Sequence, residues 1–360
     1  MERIGIYADT FNPVYKGNIS AALRAVESLC LDKILLIPDL VAPNKQQSAD
    51  SADFKQRLRM LQIAVKDHPR LEVPDPALPM EGESHTWQTI PELRKRYPAA
   101  QLIFLVADGA EENAGIWHPE EQGIETCLLE NSISAVSPED LRRLLVFQCA
   151  DAFLPEGVGA YIREQGLYGT AVSCRDLPME TLEQVVVSLL KPNRVAHVLG
   201  CRDTAVALAK RWGTDETDAA RAGILHDITK ALDGPLQLTL CAEYGTMLSD
   251  FSRKYPKTLH ALTGSLVAER IFGENEAVVS AIRHHTTGKA DMNLLEKIIY
   301  VADYMEPNRD FPGVEELRAL AFSDMDAALK LGLEMTLQHL KRQGSEVSPE
   351  SREALAFLNR

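Results

Sequence analysis

The sequence predicts a multidomain protein. A doubly wound α/β domain with a parallel sheet is expected over residues 1–172, and an all-α domain over residues 177–360. Three observations predict this. The chain has 360 residues, more than one hydrophobic core usually serves. Up to Gly169, short runs of branched apolar residues alternate with helical patterns. Beyond it, almost every apolar residue falls at helical spacing and no run reads as a strand.

In the first half the strand candidates are RIGIYA, KILLIPD, RLEVPD and QLIFLVAD, each closing at or near Asp, Pro or Gly. ISAALRAVESL and DFKQRLRMLQIAVKDH are helical patterns between them. Such alternation implies a parallel sheet covered by helices, with ligands at the carboxyl ends of the strands. The turn DTFNPVYKGN follows the first strand and leads into a helix near Asn18, a layout suited to a phosphate at a helix N-terminus. Thr10, Phe11 and Lys16 are its candidate nucleotide contacts. TAVSCRDLP reads as a connector. After it come METLEQVVVSLL, RVAHVLGCRDTAVALAKRW, DAARAGILHDITKAL, TLHALTGSLVAERIF, NEAVVSAIRHH, LLEKIIYVADYM and MDAALKLGLEMTLQHLKRQ, all helical in period.

Composition is that of an ordinary soluble protein, 45% hydrophobic and 25% charged. A net charge of −14 and a pI of about 5.2 argue against general nucleic-acid binding, which needs a basic face. They leave room for a nucleotide, because a metal can reverse the field within one cleft. No secretory signal is evident, no apolar run is long enough to span a bilayer, and the six cysteines form no CxxC pair. The expectation is a cytoplasmic protein with reduced thiols, a small-molecule ligand, and no membrane or nucleic-acid partner. A homodimer is left open.

Five of the nine histidines, His197, His226, His260, His284 and His285, lie within one window of the helical half. His226 and Asp227 follow AGIL, read here as inside a helix. His260 sits between Leu259 and Ala261, and Asp303 sits in KIIYVADYM. A buried imidazole or carboxylate is costly unless it is paired or binds a metal. Several of them on separate apolar helices point to a shared partner, and a metal centre is the simplest one. Imidazole and carboxylate donors suit Fe, Mn, Co, Ni or Zn. An aspartate can bridge two ions, and a bimetal centre clamps a phosphate and lowers the pKa of a trapped water.

The order H…HD…H…H…D resembles the HD-domain phosphohydrolases. HDITK, HTTGK and YVADYMEPNRDFPGVEELR resemble the YqeK family of symmetrical bis(5′-nucleosyl)-tetraphosphatases, over residues 179–360. The resemblance implies two divalent transition-metal ions, commonly iron. One would be held by His197, His226, Asp227 and Asp303. The other would be held by His260 and His285, with Asp227 shared and His284 as a packing neighbour. It also implies that diadenosine tetraphosphate is cut to two ADP by a metal-bound hydroxide. Asp227, Lys230 and Arg309 are the expected catalytic set. Thr286, Thr287, Gly288, Glu306, Asn308 and Arg309 are the expected substrate contacts. For Lys230 and Arg309 the alternative is a solvated surface charge.

The first half resembles the nicotinate-nucleotide adenylyltransferases (the NadD family) through DTFNPVYKGN, APNK, SHTWQTI, LIFLVAD with IWH, and LPEGVGAYIREQGLYG. The family pattern there is G-T-F-D-P-x-H-x-G-H. This chain has Asn12, Tyr15 and Asn18 where the family has its aspartate and two histidines. Neither Tyr nor Asn carries positive charge against the phosphates in the transition state. The late phosphate loop, ISAVSPEDLR, is also off pattern. The expectation is a nucleotidyltransferase-like domain that has lost its catalysis. The competing readings are a bifunctional enzyme with residual adenylyltransferase activity, a non-catalytic nucleotide sensor, and an HD nucleotidase of other specificity.

Overall fold

The computed structural model describes residues 1–38, 52–74, 90–107, 123–129 and 136–360. They form two compact units, Met1–Val172 and Ser173–Arg360.

In the first unit β1 (Arg3–Asp9), β2 (Lys33–Pro38), β3 (Leu71–Glu72), β4 (Gln101–Ala107) and β5 (Glu125–Leu129) form one parallel sheet in the order β3-β2-β1-β4-β5. Helices α1 (Lys16–Ser28), α2 (Phe54–Val65), α3 (Ile90–Arg96), α4 (Pro138–Val146) and α5 (Val158–Glu164) accompany it. The predicted α/β class is therefore present. Ile4 and Ile6 of β1, Leu35 and Ile37 of β2, and Phe104 of β4 bury one face of the sheet against Ile90 and Leu93 of α3. RLEVPD pairs only over Leu71–Glu72, because Pro74 has no N–H to continue the ladder. The sequence pattern missed β5, whose ETCLL is short and keeps its first residue exposed. APNK, most of SHTWQTI, and Trp117 with His118 lie outside the described residues.

The second unit holds α6 (Met179–Leu189), α7 (Pro192–Trp212), α8 (Glu216–Leu225), α9 (Gly234–Glu243), α10 (Asp250–Lys254), α11 (Leu259–Val267), α12 (Glu276–His284), α13 (Leu294–Met305), α14 (Val314–Ala321), α15 (Met325–Arg342) and α16 (Pro349–Leu358). No strand occurs among its described residues, as the helical spacing predicts. α13 begins at a capping box, in which Asn293 accepts from the Glu296 N–H and Glu296 accepts from the Asn293 N–H. It is then buried on nearly every side, through Leu295, Ile298, Ile299, Val301 and Ala302 among others. Gly223 of α8 is required by close approach, since a Cβ there would lie 2.7 Å from Arg202 Cα of α7. That approach brings the end of α8 beside His197.

One local expectation is corrected. His226 and Asp227 are not inside a helix. α8 stops at Leu225, His226 is its C-cap, and successive three-residue turns carry the chain onward through Ile228 N–Leu225 O and Lys230 N–Asp227 O. Small and apolar residues continue the helical period past the true end, so periodicity alone overran it.

Candidate functional site

Six side chains from five segments converge in the second unit. α7 supplies His197, the end of α8 and its turn supply His226 and Asp227, α11 supplies His260, the C-cap of α12 is His285, and α13 supplies Asp303. His197, His226, Asp227, His260 and His285 are all buried.

The two oxygens of Asp227 face different nitrogens. Oδ2 lies 3.7 Å from His197 Nε2 and 3.6 Å from His226 Nε2. Oδ1 lies 3.5 Å from His260 Nε2 and 3.7 Å from His285 Nε2. Asp303 Oδ1 joins the first group, 3.1 Å from His197 Nε2 and 3.8 Å from His226 Nε2. Two ligand-like triads result, His197–His226–Asp303 and His226–Asp227–His285.

Each of these four imidazoles is oriented by its other nitrogen. Nδ1 of His226 meets Gly223 O at 2.8 Å, Nδ1 of His260 meets Lys257 O at 2.8 Å, and Nδ1 of His285 meets Ile282 O at 2.7 Å. In all three the acceptor lies three residues earlier. A carbonyl can only accept, so Nδ1 carries the proton and Nε2 offers its lone pair to the cluster. His197 instead turns Nδ1 to Glu306 Oε1 at 3.0 Å. Burial holds His226 and His260 well below the usual imidazole range and lowers His285 to about 4, so these three are neutral at pH 7. Burial raises Asp303, but the His197 hydrogen bond and the nearby His226, His285 and Arg309 outweigh it and hold the carboxyl well below its ordinary value.

This donor set fits divalent cations. Four imidazole nitrogens face two carboxylates, and His285 Nε2 is buried without a hydrogen-bond partner. Lone pairs gathered in this way repel one another unless a cation lies among them. Separations of 3.1–3.8 Å within the first group are close to the roughly 3.0–3.5 Å expected between ligands bound at ~2.1 Å to one ion.

The surrounding residues divide sharply. Lys230 Nζ lies 2.8 Å from His260 Nε2 and 3.9 Å from Asp227 Oδ1, and burial lowers it to about 8. Arg309 holds Asp303, with Nη2 2.7 Å from Oδ1 and Nε donating to the Asp303 carbonyl. Thr286 Oγ1 lies 3.1 Å from His260 Nε2. Thr287 and Gly288, in contrast, are spent on the backbone. The Thr287 hydroxyl donates to Gly288 O, and the Gly288 N–H caps α12 at His284 O, 2.8 Å away. Glu306 and Asn308, expected to orient their loop or touch nucleotide, bond to each other within it. Glu306 is 1% exposed, and its Oε2 accepts from both the backbone and side-chain N–H groups of Asn308. Glu306 backs the His197 ring, and Asn308 donates to Ala196 O of α7 at 3.1 Å. Gly200, one turn after His197, leaves room for them, because a Cβ there would lie 2.5 Å from Glu306 Oε2. His284 is half-buried and belongs to neither triad.

Sequence reasoning missed Arg194, whose Nη2 hydrogen-bonds Asp227 Oδ2. Its signal was its place one turn before His197.

In the first unit Thr10, Phe11 and Lys16 do not converge. Thr10 O accepts from Arg57 Nη1 at 2.6 Å, the Phe11 ring is buried edge-on against Tyr7, and Lys16 Nζ donates to Ala152 O at 2.8 Å. Asn18 is 1% exposed, accepting from Tyr15 N at 3.0 Å and donating to Tyr7 OH at 2.9 Å. Arg142 donates to Asn12 O at 2.8 Å.

Known proteins resemble both units. Residues 194–308 match the HD domain family. A symmetrical bis(5′-nucleosyl)-tetraphosphatase of Halalkalibacterium halodurans is 40% identical over 169 residues, 47% of this chain and 90% of that protein. A probable nicotinate-nucleotide adenylyltransferase of Geobacillus thermodenitrificans is 31% identical over 196 residues, 49% of this chain and 90% of that protein. A protein of Mycoplasma pneumoniae named probable nicotinate-nucleotide adenylyltransferase/Ap4A hydrolase is 27% identical, covering 93% of this chain and 98% of its own. No described helix is long and apolar enough to cross a membrane. The chain therefore belongs to the HD-domain hydrolases, in the family of the symmetrical bis(5′-nucleosyl)-tetraphosphatases, and joins to that enzyme a unit of the nicotinate-nucleotide adenylyltransferase family.

Proposed function

We propose that the second unit hydrolyses bis(5′-nucleosyl) tetraphosphates at the central phosphoanhydride, turning diadenosine tetraphosphate and water into two ADP. The observation that carries this reading is Asp227, with one oxygen toward each histidine group. His197, His226, Asp227 and Asp303 would hold one divalent ion, and His260, His285 and Asp227 a second, with iron the metal we favour. When bound, such a pair supplies Lewis-acid charge against phosphoryl oxygens and makes water acidic enough to serve as nucleophile. Lys230 and Arg309 border the cluster from two segments and place positive charge beside the phosphates. Thr286 offers a hydroxyl at the His260 edge. Glu306 keeps the His197 ring turned so that Nε2 faces inward.

The test is direct. Protein purified with iron or manganese is given diadenosine tetraphosphate, and ADP is expected as sole product, with turnover lost on chelation and regained on adding metal. Formation of AMP and ATP, or turnover that survives chelation, overturns the reading. Cleavage only of other nucleotides would favour an HD nucleotidase of different specificity.

For the first unit we infer a degenerate adenylyltransferase. Asn18 is buried in bonds to Tyr7 and Tyr15, and Arg57, Arg142 and Lys16 donate to backbone carbonyls. The second reading, a bifunctional enzyme, draws on the similarity to the Mycoplasma pneumoniae protein, which is named for both activities. With ATP and nicotinate mononucleotide we expect no pyrophosphate above background. Brisk release supports the bifunctional reading instead.

A further inference from the structure

Three polar side chains outside the ligand cluster are buried beside it. Thr229 and Thr263 are 0% exposed and Gln237 is 3% exposed. They come from separate segments: the turn after α8, α11 and α9. Polar groups so buried are costly unless bonded, and these three bond to one another and to the main chain. Gln237 Nε2, a donor only, meets Thr229 O at 2.7 Å, which leaves Oε1 to accept from the Thr263 hydroxyl. Thr263 Oγ1 lies 2.8 Å from Thr229 Oγ1, and the Thr229 hydroxyl donates to His260 O at 3.1 Å. The path therefore runs from the turn that carries Asp227 to the ligand His260.

Stability alone does not call for such a network, because apolar side chains of the same shape can fill a core at little or no cost. What hydrogen bonds add is a fixed distance between two stretches of main chain. Thr229 follows Asp227 by two residues, and His260 is itself an end point of the network. Gly264 allows the close approach, since a Cβ there would lie 3.3 Å from His226 O. The distance set in this way is the one between Asp227 Oδ1 and His260 Nε2, 3.5 Å. Metal ligands tolerate errors of only about 0.2 Å, so a small slip of α11 along the turn matters there. The other histidine group is held by different partners: His197 by Glu306, His226 by Gly223 O and Asp303 by Arg309.

We propose that Gln237, acting through Thr229 and Thr263, is a positioning residue for the second metal position. It keeps His260 in register with Asp227, so that the His260/His285 group is set before an ion arrives. The inference rests on the two-ion reading proposed above. It predicts a selective defect, because α9 and α11 take no part in the His197–His226–Asp303 triad.

The test titrates manganese into the full chain, freed of metal, as wild type, Gln237→Met, Thr263→Val and Thr263→Ser. Binding is followed by calorimetry, with ions per chain counted by elemental analysis and stability read by thermal melting. Methionine and valine keep the shape and remove the hydrogen bonds, whereas serine keeps the hydroxyl and loses a buried methyl group. In Gln237→Met and Thr263→Val the weaker of two binding events is expected to lose about ten- to hundredfold in affinity, the usual range for disturbing a ligand's support. The tighter event is expected to stay within about threefold of wild type, and Thr263→Ser is expected to keep both events while melting lower. Turnover of diadenosine tetraphosphate by the two defective variants should recover at excess manganese. Equal weakening of both events, or neither, overturns the proposal, and so does a serine variant as defective as valine. The threonine pair decides alone should Gln237→Met not fold. A wild-type chain that binds fewer than two ions sinks the two-ion reading, and this proposal with it. A chain that binds two ions but leaves the tetraphosphate intact sinks only the hydrolase reading, and the titrations still decide for or against Gln237.

Discussion

Asp227→Asn is expected to lower kcat/KM on diadenosine tetraphosphate by at least about a thousandfold, the scale of several kcal/mol of transition-state stabilisation from a metal site. The substitution keeps the volume of a residue that is 1% exposed, so packing is preserved. It removes the negative charge and replaces one of two oxygens with an amide nitrogen that cannot act as a ligand. Both histidine groups look to this carboxylate, at 3.5–3.7 Å, so both are affected at once. Elemental analysis should therefore find less bound metal than in wild type, while circular dichroism shows an unchanged helical fold. Alanine is a poorer choice, because it strips the half-buried Arg194 of its carboxylate partner, a cost unrelated to catalysis. An asparagine variant that retains its full metal content and releases ADP at a wild-type rate would remove the basis of the proposed centre.

The second large effect concerns a residue that touches neither metal nor substrate. Gly200→Ala is expected to weaken metal binding about ten- to hundredfold, the usual range for disturbing the partner of a ligating histidine. Helix propensity alone points the other way, since alanine within a helix is better than glycine by about 1 kcal/mol. The added methyl group would lie 2.5 Å from Glu306 Oε2 and 3.1 Å from Asn308 Nδ2. Glu306 is the far end of a flexible side chain, but it is not free to move. It is buried, and it holds His197 Nδ1 and two N–H groups of Asn308. The loop itself is braced by Arg318, which donates to the carbonyls of Met305, Glu306 and Arg309. Relief of the clash therefore displaces the carboxylate from His197. A metal titration followed by thermal melting separates the contributions: apo stability held or raised, metal affinity lowered. Unchanged metal affinity would mean that Glu306 does not govern the His197 ring. Glu306→Gln, which keeps the acceptor oxygen and loses the charge, should fall between wild type and Gly200→Ala.

Much of this could be read from residue order. Alternating short apolar runs and helical patterns imply the parallel sheet, and the change of period after Gly169 implies an all-helical second unit. Polar residues set among apolar ones mark His226, Asp227, His260 and Asp303, because burial of such groups demands a partner. Tyr15 and Asn18 stand where the resembling family pattern has histidines, and our proposal of a degenerate first unit begins from that difference. All of these are local properties, carried by side-chain chemistry and by the period of the backbone.

Direction and accessibility could not be read that way. Whether His226 lies within α8 or caps it depends on where the helix stops, and the apolar pattern runs past that point. Gly288 could serve a phosphate only if its N–H were free, and it is used to close α12. That Glu306 meets the His197 ring follows only from the packing of α13 against α7 at Gly200. Arg194 acquires meaning only from the separate segment that carries Asp227. Spacing along a chain fixes which face of a helix a residue occupies. What that face meets is set by helix ends and crossings, and those follow from packing among residues far apart in sequence.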